Sequence, residues 1–151
     1  MAMNKRKMRV VHGNSLLFGN NYGPYPKRTT YNFSALGKMR PRVPISFFSC
    51  YTEEWHKEVF RERVNSDTFS IELVLEGIFN YTRDGKSYQV HPGEIFFVQL
   101  GKNSSMCTAT ETATKRTVII EGSGLQHTLE YLELDNLVIF KPVTLERITS
   151  I

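Results

Sequence analysis

From residue 43 onward, short apolar or alternating segments follow one another and are separated by turn-forming residues. In the segment FSIELVLEG, Glu72 and Val74 alternate with the isoleucine and leucines of the opposite face. A period of two residues is typical of β-strands with two unlike faces. The pattern predicts strands over residues 43–51, 69–77, 78–83, 86–90, 94–100, 105–111, 115–121 and 136–140.

Two dipeptides predict tight turns between these strands. Asp84-Gly85 suits a type I′ hairpin because both residues tolerate positive φ. Pro92-Gly93 suits a type II turn, since proline presets φ and glycine takes the left-handed position. The apolar run after Glu94 predicts a central strand covered on both faces. Short strands at this spacing favour a sandwich or barrel over a parallel sheet.

The strand pattern breaks at Gly122. Leu125, Leu129 and Leu132 then recur at helical spacing, and Ser123 and Gln126 have the spacing of a capping box. These features predict an amphipathic helix of roughly ten residues. The last residues, 144–151, predict the start of another helix.

Composition narrows the class of protein. The 151 residues suit one domain with extensions, and the two cysteines, Cys50 and Cys107, are too few for a disulfide framework. We interpret them as free thiols in the reducing cytoplasm. The sequence lacks an apolar run of about 18 residues and a signal-peptide pattern, so we expect a cytoplasmic protein with no membrane partner.

The net charge of +4 conceals an uneven distribution. Residues 1–42 hold nine Lys or Arg and no acidic residue, whereas the remainder holds ten basic and fifteen acidic residues. We interpret 1–42 as a basic, largely irregular arm with one short strand near Met8–Val11. We expect Tyr22–Tyr31 to close a pocket, and Lys5–Arg9 to stay mobile or to contact an acidic surface or DNA phosphates. A solvated extension without a partner is the competing interpretation.

The order of turns and strands resembles a known fold. Gly77, the Asp84-Gly85 hairpin, Pro92-Gly93-Glu94, an apolar strand and Gly101 resemble the cupin barrel. More narrowly, together with KRTVIIEGSGLQHTLEYLEL, they resemble the N-terminal sensor domain of AraC-type transcription regulators, over about residues 55–142. The resemblance implies a mostly β, cupin-like (double-stranded β-helix or jelly-roll) barrel with a short helix near the C-terminus.

The resemblance also implies a function. It predicts a non-enzymatic domain that binds a small-molecule effector, such as a sugar, and forms a homodimer. It divides the chain into the arm 1–42, an effector-binding barrel 43–142 and, over 143–151, the start of a linker helix. DNA would be contacted through a C-terminal pair of helix-turn-helix units that we expect to be missing from this chain.

A metal site is not expected. Cupin enzymes hold their metal with a His-x-His pair, a glutamate and a distant histidine. Here the segment FRERVNSD, residues 60–67, where the His-x-His pair is expected, has no histidine. Ser104 and Ser105 occupy the place of the last ligand. His91 precedes Pro92, where the family has no ligand. We therefore predict no metal and no cofactor.

Polar residues on apolar strands are the natural specificity groups of a cavity, because their burial is costly unless they are paired. Glu72 and Gln99 are the clearest, and we predict that both face the barrel interior. The full set of predicted ligand-binding residues is Trp55, Arg63, Glu72, Tyr81, Gln99, Met106 and Thr117. Any of these side chains could instead be solvent-facing or ordinary core.

Two other functions remain open from the sequence. The chain could be a free-standing cupin enzyme acting on a sugar or small metabolite, with Glu72 and His56 as a metal-free acid–base pair. It could also be a non-catalytic cupin used only for oligomerisation, which a filled barrel would favour.

Overall fold

The computed structural model describes residues 7–12, 15–31 and 44–142. Within these residues the chain forms two antiparallel six-stranded sheets and one short helix. Within the described residues, no helix is long and apolar enough to span a membrane. The predicted linker helix at 143–151 and the arm tip before Lys7 lie outside the described residues.

Sheet 1 contains the strands in the order β1-β2-β5-β10-β7-β8. Their bounds are Lys7–His12 (β1), Ser15–Gly19 (β2), Phe60–Val64 (β5), Phe79–Arg83 (β7), Lys86–Val90 (β8) and Ser104–Thr108 (β10). Sheet 2 has the order β12-β9-β6-β11-β4-β3. Its strands are Lys27–Tyr31 (β3), Ser46–His56 (β4), Phe69–Glu76 (β6), Ile95–Val98 (β9), Thr112–Glu121 (β11) and Ile139–Phe140 (β12).

The two faces of sheet 2 pack against different layers. Phe96 and Val98 of β9 join a core that draws side chains from both sheets, which therefore enclose it between them. Phe97 packs in a second cluster with Leu125 and Leu129 of the helix α1 (Leu125–Tyr131). This double cover explains why β9 is apolar on both faces, as the sequence predicted.

The predicted turns have the backbone that they require. Asp84 and Gly85 have φ of 47° and 82°, and Arg83 pairs with Lys86 across the two-residue loop. Gly93 has φ of 84° after Pro92. Both glycines therefore occupy positions that residues with a side chain rarely adopt. Among the described residues, the predicted mostly β fold with one short helix is confirmed.

Part of the predicted arm, residues 1–42, forms strands of the two sheets. β1 and β2 extend sheet 1, and β3 pairs with β4 at the edge of sheet 2. The strand predicted near Met8–Val11 is present as β1. β2 and β3 escaped prediction because turn formers flank both, and β3 begins with Lys27 and Arg28. Charged side chains are common on edge strands, where they oppose edge-to-edge association.

Two further sequence predictions need correction. The segment FRERV forms β5, which the sequence analysis did not predict because charged residues occupy its centre. The capping box is absent: α1 begins after Gly124 with no side-chain cap and has seven residues rather than about ten. The amide of Gly124 instead donates to the carbonyl of Pro44, 2.8 Å away, which fixes the helix start against the beginning of β4.

Candidate functional site

Four polar side chains meet on the inner face of sheet 2. Lys115 and Thr117 are alternate residues of β11, and strand register pairs Lys115 with Glu53 and Thr117 with Glu72. All four are buried, with Lys115 2% exposed. We call Glu53, Glu72, Lys115 and Thr117 the ionic cluster.

Lys115 lies between the two carboxylates. Its Nζ is 2.7 Å from Glu72 Oε2 and 3.1 Å from Glu53 Oε2. It also donates to Thr117 Oγ1 at 2.8 Å, and the Thr117 hydroxyl donates in turn to Glu72. Ser70 Oγ donates to the other oxygen of Glu72 at 2.7 Å. These bonds offset the large cost of burying charged groups.

Glu53 connects the ionic cluster to the N-terminal part of the chain. Arg28 of β3 donates to Glu53 Oε1 from Nε at 2.9 Å and from a terminal nitrogen at 2.7 Å. Trp55 Nε1 donates to Glu53 Oε2 at 3.0 Å. Burial raises the pKa of Glu53, but the charges of Lys115 and Arg28 outweigh burial and lower that pKa to about 2.

Lys115 stays charged despite complete burial. Burial alone lowers its pKa, but the charges of Glu72 and Glu53 exceed that effect and raise the pKa above the ordinary value. Its Nζ also lies 5.3 Å from the centroid of the Trp55 ring, within cation–π range. The ionic cluster is therefore a fixed, charged feature of the interior.

The barrel interior has two unlike ends. The apolar end is formed by residues that pack tightly, and these are Trp55, Val59, Val74, Phe79, Val90 and Ala113. The polar end is formed by Ser46, Ser70 and Glu72, which lie further along β4 and β6, and by the facing residues Arg63 of β5 and Ser104 of β10. Of these, Arg63 is half-buried and the others are buried. Register places Arg63 beside Ser104 on sheet 1, and Ser104 beside Arg83.

Six of the seven predicted ligand-binding residues lie at the interior. Glu72 and Thr117 belong to the ionic cluster, and Trp55 contacts that cluster through its indole nitrogen. Tyr81 and Met106 belong to the apolar core. Tyr81 donates from its hydroxyl to the carbonyl of Phe97 at 2.6 Å, and burial raises the pKa of Tyr81 against a smaller opposing effect of the Ser104 hydroxyl. Arg63 lies at the polar end.

Gln99 is the exception, and its predicted position was wrong. It is buried, but its amide nitrogen donates to the carbonyls of Leu134 and Leu137, at 2.6 and 3.2 Å. These carbonyls belong to the segment that follows α1. Gln99 therefore anchors that segment to sheet 2 rather than facing the ionic cluster. The sequence gave no sign of this because burial on a strand does not reveal which layer supplies the partner.

The proposed acid–base pair of Glu72 and His56 is not assembled. His56 follows Trp55 on β4, so it projects to the opposite face from that interior residue. Its Nε2 is 3.1 Å from Glu111 Oε1, and its ring stacks on Tyr22 at 4.4 Å between centroids. Tyr22 and Tyr25 therefore cover His56, whereas the predicted lid residue Tyr31 is exposed at the end of β3.

The donor groups do not fit the metal site that cupin enzymes carry. Among the described residues, no three His, Cys, Asp or Glu side chains lie close enough together to hold a metal. The interior carboxylates of Glu53 and Glu72 are both bound by Lys115. His91 is exposed, and its Nδ1 lies 3.4 Å from Glu94 Oε2.

Sequence reasoning missed four residues of this site: Arg28, Glu53, Arg61 and Lys115. A usable signal existed for Lys115, because it alternates with Ala113 and Thr117 and therefore had to share their face. The other three depended on strand pairing that the sequence did not reveal. Arg61 lies on the inner face of β5 beside Met106, with its guanidinium 5.6 Å from the Trp55 ring centroid.

Solved structures share this fold. A predicted oxalate decarboxylase from Thermotoga maritima matches with a TM-score of 0.51 at 11% identity, over 76% of this chain and 90% of that one. KdgF from Halomonas sp. matches with a TM-score of 0.47 at 9% identity, over 76% and 84%. The cupin domain of Cnp3 from Schizosaccharomyces pombe matches with a TM-score of 0.46 at 11% identity, over 60% and 73%.

No protein-family model and no curated protein sequence matches the chain. The structural likenesses concern the fold alone, which is that of the cupins. The AraC-type resemblance of the sequence stays a prediction.

Proposed function

We propose that the chain is the effector-sensing domain of an AraC-type transcription regulator, and that its barrel binds a small molecule at the polar end of the interior. One observation carries this proposal. Side chains that face the barrel interior also hold the N-terminal segment, residues 15–31. A ligand that contacts these side chains would therefore act on that segment.

Arg28 provides the first of these connections. It lies on β3, yet its guanidinium binds Glu53 of the ionic cluster and lies 3.9 Å from the centroid of the Tyr51 ring. A ligand that drew Lys115 or Glu53 toward itself would weaken this ion pair. The position of β3 would then depend on what the barrel holds.

Arg61 provides the second connection. One terminal nitrogen donates to the carbonyl of Asn20, and the other donates to Asn21 Oδ1 at 2.8 Å. The Asn20 side chain binds β5 in return, because its Oδ1 accepts from the amide of Phe60 at 2.9 Å. The loop between β2 and β3 is thus fixed to a residue whose side chain also reaches the interior.

The regulatory role adds two partners. The resemblance implies a homodimer and a C-terminal DNA-binding unit controlled by the sensor. Tyr131 and Leu132, at the end of α1, are 82% and 53% exposed and supply apolar surface for a dimer contact. Sedimentation velocity over a concentration series tests the dimer, and a Tyr131→Glu variant that dissociates would assign the contact to this end of α1.

Hydrogen exchange tests the sensing role. The chain is screened against small metabolites by thermal shift, and the compound with the largest shift is carried into exchange measurements. We expect this compound to change exchange at the amides of β3 and β4 as well as at β11. Protection limited to the outer face of the barrel would contradict the proposal, and conversion of the compound into product would favour an enzyme.

A further inference from the structure

The barrel interior contains more positive than negative charge. Glu53 and Glu72 are the acidic groups of the ionic cluster. The basic groups of the described residues that face them or line the same interior are Arg28, Arg61, Arg63, Arg83 and Lys115. Two carboxylates against five cations leave an excess positive charge. Lys115 and Arg83 are buried, Arg61 and Arg63 are half-buried, and the Arg28 side chain is 51% exposed.

The two carboxylates are already in use. Glu53 is held by Arg28 and Lys115, and Glu72 by Lys115. Arg61 instead donates to neutral oxygens, including the carbonyl of Phe60 at 2.9 Å. Burial lowers the pKa of Arg61, and the neighbouring charges of Arg63 and Arg28 lower it further against the opposing charge of Glu53.

Arg63 and Ser104 have unused hydrogen-bonding capacity. The Nε of Arg63 and the Oγ of Ser104 are both buried without a partner in hydrogen-bonding geometry. The Ser104 hydroxyl does lie near that of Tyr81, where it opposes the rise that burial causes in the pKa of Tyr81, but the Tyr81 hydroxyl donates to the carbonyl of Phe97 instead. The residues are direct neighbours across β5 and β10, and Ser104 is 7% exposed. A buried donor left without a partner costs about 1 to 3 kcal/mol, and more when it is charged. Native proteins retain such groups chiefly where a ligand or water completes them.

A pocket adjoins these two residues at the turn between β7 and β8. Its volume is about 170 Å³, and it is lined by Glu62, Arg63, Thr82, Asp84, Gly85, Asn103, Ser104 and Ser105. Glu62, Thr82 and Ser105 pair across sheet 1 and alternate with the inward-facing Arg63 and Ser104, so the pocket opens on the outer face of the sheet rather than into the barrel interior.

The Asp84 carboxylate at this pocket is engaged, because Oδ1 accepts from the amide of Asn103 at 3.3 Å and Oδ2 lies 3.9 Å from Arg83. Glu62 supplies the other carboxylate of this pocket. It pairs with Ser105 across β5 and β10, whereas Arg63 pairs with Ser104.

We propose that the ligand of the barrel is a small organic anion, and that Arg63 and Ser104 bind its carboxylate at the polar end. This inference rests on the proposed binding function and specifies the chemistry of the ligand. A carboxylate accepts bonds in the plane of a guanidinium and from a neighbouring hydroxyl, which matches the two unpartnered donors. A neutral sugar would leave the excess positive charge without a counter-charge.

A thermal-unfolding assay with matched ligands tests the proposal. The full chain is measured with benzoate against benzamide and with D-glucuronate against D-glucose, at constant ionic strength, with inorganic phosphate as a further probe. Wild type is compared with Arg63→Met and with Arg116→Met, an exposed arginine on the outer face of sheet 2. We expect at least one acid to raise Tm more than its neutral partner, in wild type and Arg116→Met but not in Arg63→Met.

The ligand-free proteins give an independent measurement. Because Arg63→Met removes a buried donor that has no partner, we expect its Tm to be equal to or above that of wild type, by up to about 4 °C. Arg83→Met is the contrast, since Arg83 donates to the carbonyls of Leu137 and Asn136 at 3.0 and 3.3 Å, and its Tm should fall. A fall of similar size in Arg63→Met would show a structural role and overturn the proposal.

The ligand series separates this inference from the proposed function. If neither acid exceeds its neutral partner, the anion inference fails, whereas a shift by D-glucose or benzamide would still support a binding barrel. An acid shift that persists in Arg63→Met also overturns the inference. An Arg63-dependent shift by phosphate that exceeds both acids would replace the carboxylate by a phosphate group.

Discussion

At one end of the barrel interior Trp55, Val74 and Phe79 pack together, whereas two residues further along the same strands Glu53 and Glu72 bind Lys115. Glu53 and Glu72 are nearly as buried as these apolar residues, so burial alone does not distinguish the two sets. The two ends differ in whether their polar side-chain atoms have hydrogen-bond partners. At the apolar end the indole nitrogen of Trp55 is bonded to Glu53, while the polar end contains Arg63 Nε, Ser104 Oγ and Ser46 Oγ without partners.

This contrast assigns a different role to each end. Close apolar packing stabilises the barrel and tolerates little change of shape. An end that retains charged and unpartnered groups loses stability relative to an apolar alternative, and such groups are typical of functional sites. The apolar end maintains the fold, and we propose that the polar end is adapted to a ligand.

The largest predicted effect comes from Lys115→Met. This variant leaves Glu53 and Glu72 buried without their shared cation, and breaking a buried pair in this way costs about 3 to 5 kcal/mol in the free energy of unfolding. Urea denaturation measures the loss. The neighbouring exposed residue supplies the control, since Arg116→Met should change stability by less than about 0.5 kcal/mol. Equal effects of the two variants would show that the ionic cluster does not stabilise the fold.

The second effect is a dependence of stability on pH. The pKa of Glu53 is about 2 in the folded chain, below its ordinary value of 4.5, so folding favours the ionised form. Its contribution is therefore complete above pH 4.5 and is lost as pH falls toward 2, with an upper limit of about 3 kcal/mol. Denaturation at several pH values should show a slope that Glu53→Gln reduces.

Glu111→Gln is the matched control for this slope. Glu111 binds Lys57 and His56 at the surface, where solvent screens the interaction. We expect this variant to keep most of the acid slope of wild type. An equal loss of slope in both variants would mean that surface carboxylates, rather than the ionic cluster, determine the acid sensitivity.

The smallest effects are expected from two substitutions that nearly preserve side-chain shape, one at each end of the interior. Val74→Thr places a hydroxyl at the apolar end and should cost about 1 to 3 kcal/mol, because the hydroxyl finds no polar partner there. Thr117→Val removes a hydroxyl that donates to Glu72 and should cost about 1.5 to 3 kcal/mol. Thermal and urea unfolding of both variants would check this, and a neutral result at either site would remove the contrast between the ends.

The sequence predicted the barrel better than it predicted the site. The alternation in β6 and the Asp84-Gly85 turn depend on local backbone chemistry, which neighbouring residues determine, and both were found as expected. Placement of Glu72 in the interior followed from the same alternation. The partners of Glu72 could not be predicted, because Lys115 is 43 residues away and is brought close only by strand pairing.

Gln99 illustrates the opposite error. Its position in an apolar strand correctly indicated burial but not the layer that it contacts, since sheet 2 is covered on both faces. β2 and β3 were missed for another reason. β2 depends on pairing with β5, and β3 depends on pairing with β4 and on the Arg28–Glu53 contact.

The most direct test of a ligand-binding polar end is a crystal structure of the chain with the compound that raises its Tm most. The account predicts density for that compound inside the barrel, within hydrogen-bonding distance of Arg63 Nε or Ser104 Oγ. Along β6, this density should lie beyond Glu72, at the end of the interior opposite to Val74. Density on the outer face of either sheet, with the polar end filled by protein side chains, would contradict it.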